Sequence, residues 1–487
     1  MVVRVATIAF EGIEARPVDV QVQLVPGQVA FIVVGLGDKA VAESRERVRG
    51  ALMAAGLAMP ARRVIINLAP ADMPKEGSHF DLPIALAIMA AMGAIPADAL
   101  AGYTILGELA LDGMITPVAG CLPAAVAANA RGHGLICPAA CGPEAAWASS
   151  DLDIIAPRSL IQLANHFKGT QVLSRPLPAM RAKGAAQPDL AGPPGAGKSM
   201  LAARLPSILP PLSPRELLEV SMIHSVAGLL AGGELTDRRP FRAPHHSASM
   251  AALTGGGFYA KPGEVSLAHH GVLFLDELPE FSMQALDSLR QPIETGEVSV
   301  SRANARVTYP ARFQLIAAMN PCRCGHASDP GYACQRQPNM RCMAQYQAKL
   351  SGPLLDRFDL TIEVPAVHAT DLLLPAPSES SRDVAARVTR ARAIQRQRFL
   401  DMGLPGLETN SAASASVVET MARPDQAGAG LIREAADRLR LTARGFHRVL
   451  KLARTLADLD ESDGVRRIHI AEALSYRGEA ARAAEAA

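Results

Sequence analysis

The stretch Gly192-Pro193-Pro194-Gly195-Ala196-Gly197-Lys198-Ser199 decides how this chain is interpreted. It fits the pattern G-x-x-x-x-G-K-[S/T], in which the backbone amides of a glycine-rich loop surround nucleotide phosphates. In that pattern the lysine reaches the β- and γ-phosphates, and the serine hydroxyl binds Mg²⁺. Residues 200–205 continue as a helix whose N-terminus favours the same anions. The stretch therefore predicts an ATP-binding α/β core.

A second segment supplies the carboxylates that such a site needs. Residues 271–277 read Gly-Val-Leu-Phe-Leu-Asp-Glu, an apolar strand that belongs inside a parallel sheet. Ligands bind at the carboxyl edge of such sheets, where Asp276 would position Mg²⁺ and Glu277 would polarise the attacking water. Each motif can arise by chance, but both in this order favour a nucleotide site.

The strand expected over residues 313–318 ends in Asn320. An amide at this position can orient the attacking water. It can equally cap the turn before Pro321, and the sequence leaves both interpretations open.

Composition sets the frame for these motifs. The chain has 487 residues, 49% hydrophobic and 20% charged, which indicates two to four globular domains. The net charge of +2 means that any nucleic-acid surface has to be a local patch. The N-terminus lacks the apolar core of a signal peptide, and the apolar run 82–95 is too short for a bilayer. We expect a soluble cytoplasmic protein without a membrane partner.

Residues 1–170 have a different organisation, which we predict to be an α+β domain. Strands are expected over 18–24, 29–34 and 63–68, because these runs are apolar or alternate with period two. A helix follows Asp38, with Val41, Ser44, Val48 and Leu52 on one face, and a buried helix starts at Asp81. The arginines of the first helix are interpreted as a solvated face, namely Arg45, Arg47 and Arg49.

Further blocks follow the ATP motifs in a fixed order, and they carry a family resemblance. They are Pro244-His245-His246, residues 263–269, residues 273–281, Asn320-Pro321-Cys322 and residues 351–359. In this order they resemble the Mg-chelatase-like AAA+ ATPases of the ComM/YifB group. The resemblance implies an AAA+ P-loop core over 191–365, a helical lid over 366–487, and ATP with Mg²⁺ as cofactors. It also implies a homo-oligomeric ring, expected to be a hexamer, that acts on DNA as a branch-migrating helicase.

The resemblance assigns roles to two arginines. Arg357 matches the arginine finger, which reaches the γ-phosphate of a neighbouring subunit. Arg444 matches the lid arginine.

The N-terminal domain resembles the Lon-type protease fold through residues 67–83, 107–109 and 120–131. Proteolytic relatives use a Ser–Lys dyad. Here His79 holds the nucleophile position and Leu122 the lysine position, so we reject protease activity.

The resemblance predicts a helix and an apolar strand before Gly192, and both are missing from the linker 171–190. Pro188 makes this segment a poor strand. The second hypothesis is therefore a nucleotide-impaired scaffold, that is, a scaffold or interaction protein derived from this family whose nucleotide binding is impaired. Chelatase-type insertion of a metal into a tetrapyrrole ranks last.

Three further features allow alternative interpretations. Four cysteines could bind Zn²⁺ or remain reduced thiols, namely Cys322, Cys324, Cys334 and Cys342. The arginine-rich helix expected over 383–400 could follow a phosphate backbone or simply be solvated. The pair His245-His246 suggests a metal site, but loop histidines more often make ordinary polar contacts. Helices are also expected over 279–294, after the Asp-Glu pair, and over 431–458.

Overall fold

The computed structural model describes most of the chain. The described residues are 2–35, 37–180, 198–257, 260–301, 306–320, 322–323, 339–362, 364, 379–439 and 441–485. The glycine-rich residues 192–197 lie outside them, together with residues 181–191.

The described residues of the first 180 fold around one mixed sheet of seven strands. The strands are β1 (Val2–Glu11), β2 (Glu14–Val25), β3 (Ala30–Val34), β4 (Arg63–Ala69), β5 (Tyr103–Ile105), β8 (Gly134–Ile136) and β9 (Ile154–Ile155), with a hairpin of β6 (Glu108–Leu109) and β7 (Ile115–Thr116). Their order in the sheet is β3-β4-β2-β1-β5-β8-β9. The alternation in β2 buries Val18, Val20 and Val22 on one face, as the period of two predicts.

Helices cover this sheet, namely α1 (Lys39–Ala54), α2 (Asp81–Ala91), α3 (Cys121–Ala130), α4 (Gly142–Ala145) and α5 (Leu160–Phe167). The side chain of Asp38 caps α1 by accepting from the amide of Val41 at 2.9 Å. One arginine departs from the expected solvated face: Arg47 donates to the fully buried carboxylate of Asp81 at 2.6 Å. A buried acid needs such a partner, and burial raises the pKa of Asp81 although Arg47 opposes this.

The middle of the chain builds a parallel three-stranded sheet from β10 (Phe241–Arg242), β13 (Val272–Leu275) and β16 (Gln314–Ala317), in the order β10-β13-β16. All four residues of β13 are buried. Among the described residues, β16 pairs only with β13, and no strand lies on its outer edge. The other elements here are β11 (Gly255–Gly256), β12 (Lys261–Pro262), β14 (Glu297–Ser301), β15 (Arg306–Pro310), α6 (Lys198–Ile208), α7 (Pro214–Val226), α8 (Met250–Thr254), α9 (Glu264–Leu267), α10 (Met283–Ser288), α11 (Arg290–Thr295), α12 (Asn339–Gln347) and α13 (Gly352–Leu355).

Helix α7 joins the N-terminal part to this core. The amide of Gly120 donates to the carbonyl of Ser225 at 3.0 Å, and the hydroxyl of Ser225 donates to the buried carboxylate of Glu144. Burial raises the pKa of Glu144, while the hydrogen bonds that it accepts from the Ser225 hydroxyl and the Leu122 amide oppose the rise.

The C-terminal part is helical, with α14 (Ser381–Asp401), α15 (Ala415–Met421), α16 (Gln426–Arg438), α17 (Ala443–Leu459) and α18 (Arg467–Glu485) around one apolar core. The prediction of a single helix over 431–458 is wrong, because α16 and α17 are separate helices there. The hydroxyl of Thr442 accepts from the amide of Gly445 at 3.0 Å and starts α17 as a separate helix. In the described part of the chain, no helix is long and apolar enough to cross a bilayer.

Candidate functional site

The carboxyl edge of the parallel sheet collects the polar residues that the motifs predicted. The hydroxyl of Ser199, in the first turn of α6, donates to the carboxylate of Asp276 at 2.6 Å. Next to it, the ammonium group of Lys198 donates to Asn320 Oδ1 at 2.9 Å and to the carbonyl of Met319 at 3.0 Å. Because β13 and β16 run parallel, Asp276 and Asn320 leave the sheet at the same edge.

Glu277 follows Asp276 in a backbone conformation that is unusual for a side chain of its size. Its φ is 52°, in the left-handed region, and its amide donates to Asp276 Oδ1 at 2.9 Å. Its carboxylate lies 3.1 Å from His246 Nδ1. Strand β10 ends four residues before His246 and runs parallel to β13, which explains why the two side chains meet.

The paired histidines therefore make polar contacts. His245 Nδ1 lies 2.8 Å from the hydroxyl of Ser247, and its ring lies 4.0 Å from that of His246. The sequence motif points to both histidines, but it does not show that His246 contacts Glu277. The position of His246 just after a strand parallel to β13 was the available signal.

The side chains at this edge fit Mg²⁺ and a nucleoside triphosphate. Hydroxyl and carboxylate oxygens are the ligands that Mg²⁺ takes from proteins, and Ser199 and Asp276 bring one of each together. Lys198 adds a cation beside them. The remaining members of the predicted ATP site lie outside the described residues, namely Gly192, Pro193, Pro194, Gly195, Ala196 and Gly197.

The two arginines of the resemblance form a second group. Arg357 Nη2 and Arg444 Nη1 lie 2.8 Å and 3.1 Å from the same oxygen, Glu294 Oε1. Arg357 also donates to the carbonyl of Pro353. In the part of the chain that the structure describes, no hydrogen bond or ion pair joins these arginines to Lys198 or Glu277.

The cysteines give no support for zinc. Cys322 and Cys342 are buried in one apolar cluster with Met343, while Cys324 and Cys334 lie outside the described residues. Within the described ranges, no cysteine belongs to a group of three possible metal ligands. The two described thiols make up half of the four-ligand set that structural zinc requires, so zinc at this position stays a prediction without support.

One group of three possible ligands does occur, at the opposite end of β13. His269 Nε2 and His270 Nε2 lie 3.3 Å and 2.8 Å from Glu219 Oε2. However, the amide of Arg312 donates to His269 Nδ1 at 3.0 Å, so this nitrogen carries no proton. The ring proton of neutral His269 is then on Nε2, which donates to Glu219 and cannot bind a metal.

The ionisation of this group agrees with a hydrogen-bonded cluster. Burial lowers the pKa of His269 to about 4, which keeps the ring neutral at pH 7. Burial acts to raise the pKa of Glu219, but hydrogen bonds from His270, Arg215 and His269 outweigh it and bring the value to about 2.

Three of the six arginines of α14 pair with acids in the described structure. Arg398 binds the buried carboxylate of Asp458, which also accepts from Arg454 at 3.0 Å. Arg387 and Arg390 make exposed ion pairs with Glu379 and Glu461, at 2.6 Å and 2.7 Å. Arg398 therefore holds the helical part together, and the exposed pairs are weak enough to exchange for phosphates.

The two positions that the Lon-type resemblance assigns to a protease dyad hold packing residues. His79 is buried, its Nε2 lies 2.9 Å from the carbonyl of Ile8, and its ring packs against Phe10 and Phe80. Leu122 is fully buried. Neither position presents a nucleophile or a base.

Comparisons with known protein families give three matches along the chain. The chain matches the Mg_chelatase family, described as magnesium chelatase, subunit ChlI, over residues 168–372. It also matches the related ChlI family over 20–141 and the ChlI C-terminal family over 378–477. Together these matches cover most of the chain.

Full-length relatives are similar to this chain from end to end. YifB of Escherichia coli is 40% identical over 501 residues, which covers 97% of this chain and 96% of the relative. The competence protein ComM of Haemophilus influenzae is 40% identical over 499 residues, 96% of each. A distant relative, the maternal DNA replication licensing factor mcm6 of Xenopus tropicalis, is 24% identical over 225 residues, 44% of this chain and 25% of the relative.

Proposed function

The chain belongs to the Mg-chelatase-like family that includes ComM and YifB, and from this premise we propose that it is a Mg²⁺-dependent ATPase that works as a ring on DNA. The single observation that carries the proposal is the contact of 2.6 Å between Ser199 and Asp276. It brings the two predicted Mg²⁺ ligands together although one lies in a helix and the other follows a strand.

Each residue at the carboxyl edge has a part in hydrolysis. Mg²⁺, when bound, would neutralise phosphate charge, and Ser199 and Asp276 would hold the ion. Lys198 stabilises negative charge on the transferring phosphoryl group. Glu277 accepts a proton from the attacking water, and Asn320 orients that water.

His246 adds a restraint on Glu277. The carboxylate is more than half exposed, so without a partner it would sample several orientations. A neighbour at 3.1 Å restricts these orientations, which places the base for proton transfer.

The action on DNA rests on the family. The relative's name, competence protein, and the distant likeness to a DNA replication licensing factor support a nucleic-acid substrate. The chain itself offers exposed arginines on α14, including Arg387 and Arg390, whose weak ion pairs can exchange for phosphates.

A rate measurement tests this proposal. The ATPase rate is followed with and without DNA while the salt concentration is raised. Stimulation by DNA that falls steeply as salt rises supports a DNA motor, because phosphate contacts release counterions. An ATPase rate that ignores DNA at every salt concentration contradicts it.

A nucleotide-impaired scaffold is the second candidate. It is favoured by the described part of the core sheet, where nothing pairs with the outer edge of β16. A P-loop is ordinarily preceded by a buried strand, and the sequence before Gly192 is a poor one. Metal insertion into a tetrapyrrole ranks last, because only the family name points to it.

A further inference from the structure

Glu294 is the common partner of Arg357, which the resemblance assigns to the γ-phosphate of a neighbouring subunit, and of Arg444, which matches the lid arginine. We propose that its carboxylate occupies, in the isolated chain, the place that a γ-phosphate of the neighbouring subunit takes in the assembled ring, and that it thereby restrains assembly. The inference rests on the proposed ATPase function. It assigns to Glu294 a role that the motifs did not suggest.

The chemistry of the contact resembles phosphate binding. Arg357 and Arg444 converge on a single oxygen, Glu294 Oε1, at 2.8 Å and 3.1 Å. Guanidinium groups bind carboxylates and phosphates with the same donors, so one anion excludes the other. Either arginine has to release Glu294 before it can donate to a phosphate in the same direction.

Burial shows which partner moves. The side chain of Arg357 is 13% exposed, whereas those of Glu294 and Arg444 are 40% and 57% exposed. Arg357 is further held by the carbonyl of Pro353. Glu294 is therefore the exchangeable member, and Arg357 is the fixed part of the anion site.

Two local features favour exchange. The Nε of Arg357 is buried and has no hydrogen-bond partner among the described residues, so this guanidinium has a donor that Glu294 leaves unused. Glu294 also lies in the last turn of α11, where the partial negative charge of the helix end disfavours an acid. The contact is thus strong enough to occupy the arginines and weak enough to be displaced.

The variant Glu294→Gln tests this restraint. It removes the carboxylate charge and keeps nearly the same shape. We expect the subunit concentration that gives half-maximal ATPase activity to fall roughly three- to tenfold, the effect of losing weak ion pairs. The kcat at saturating protein should stay the same. The control is Glu297→Gln, because Glu297 is exposed and makes no ion pair among the described residues.

Two results would overturn the proposal. If kcat falls at saturating protein, Glu294 positions the arginines for catalysis and does not compete with phosphate. If the half-maximal concentration matches that of the parent, Glu294 has no influence on assembly.

A second measurement separates this proposal from the ATPase itself. Phenylglyoxal modification of arginines, mapped by mass spectrometry without nucleotide, should be faster at Arg444 in Glu294→Gln than in the parent. Equal rates contradict the capture of Arg444, whether or not the protein hydrolyses ATP. A parent protein without ATPase activity at any concentration would contradict the proposed function and leave this readout intact.

The same reagent works on the parent chain should the variant fail to fold. Higher salt weakens the ion pair of Arg444 and should therefore speed its modification more than that of Arg423. Arg423 is an exposed arginine of the helical part and has no ion pair within the described residues. An equal salt response at both arginines overturns the proposal.

Discussion

The hydroxyl of Ser199 donates to the carboxylate of Asp276 at 2.6 Å, across 77 residues of chain. Helix α6 and strand β13 each deliver one oxygen ligand to the carboxyl edge of a parallel sheet. Lys198 and Asn320 meet beside them. This arrangement connects the glycine-rich motif to the acidic strand end and supports a Mg²⁺-nucleotide site.

Glu277→Gln should abolish turnover and retain nucleotide. A glutamine keeps the shape of Glu277 and its contact with His246, but it cannot accept a proton from water. We expect kcat to fall by about 10² or more, the usual contribution of a general base. ATPase assays combined with measurement of retained ATP check this. Hydrolysis by the variant at the parent rate would reject the assignment of Glu277.

His246→Ala should lower kcat by about tenfold and change KM little, because the partner of Glu277 orients a group that acts in the transition state. His246→Asn should restore most of the rate, since an amide can donate from nearly the same position as Nδ1. The matched control is His245→Ala, because, within the described residues, the side chain of His245 contacts Ser247 and not Glu277. Equal losses in the alanine and asparagine variants contradict a positioning role.

His79→Gln should flatten the dependence of stability on pH. Burial lowers the pKa of His79 from 6.5 to about 4, so between these values the unfolded chain binds more protons than the native one. His79 therefore reduces stability as pH falls through this window. Glutamine can still donate to the carbonyl of Ile8 and does not titrate.

We expect the difference in unfolding free energy between pH 7 and pH 4.5 to shrink by about 2 kcal/mol in this variant. Urea unfolding followed by the fluorescence of Trp147, the single tryptophan, reports on the N-terminal part of the chain. An unchanged difference would show that His79 is protonated in the native state at these pH values.

Much of the fold could be predicted because local signals and burial agree. Asp38 begins α1 where a capping residue precedes an apolar face, and Val41, Val48 and Leu52 are buried there. The apolar run before Asp276 forms β13, and its two acids reach the carboxyl edge.

The failures came from contacts and capping signals that the periodicity did not show. The helix expected over 279–294 is divided into α10 and α11. Pro292 has no N–H to donate to the carbonyl of Ser288, so a continuous helix loses that bond. Arg47 looked solvated because its partner Asp81 comes from a distant helix.

The contact of Glu294 with Arg357 and Arg444 was equally hidden, since it joins three elements far apart in sequence. The domain boundaries and the role of the helical part remain predictions.

Titration calorimetry of the folded chain with ATP and Mg²⁺ tests the central claim most directly. We predict saturable binding that Lys198→Ala abolishes and that Lys168→Ala, a change at an exposed lysine, leaves intact. Folded protein that takes up no ATP at any accessible concentration would contradict the ATPase and favour the nucleotide-impaired scaffold.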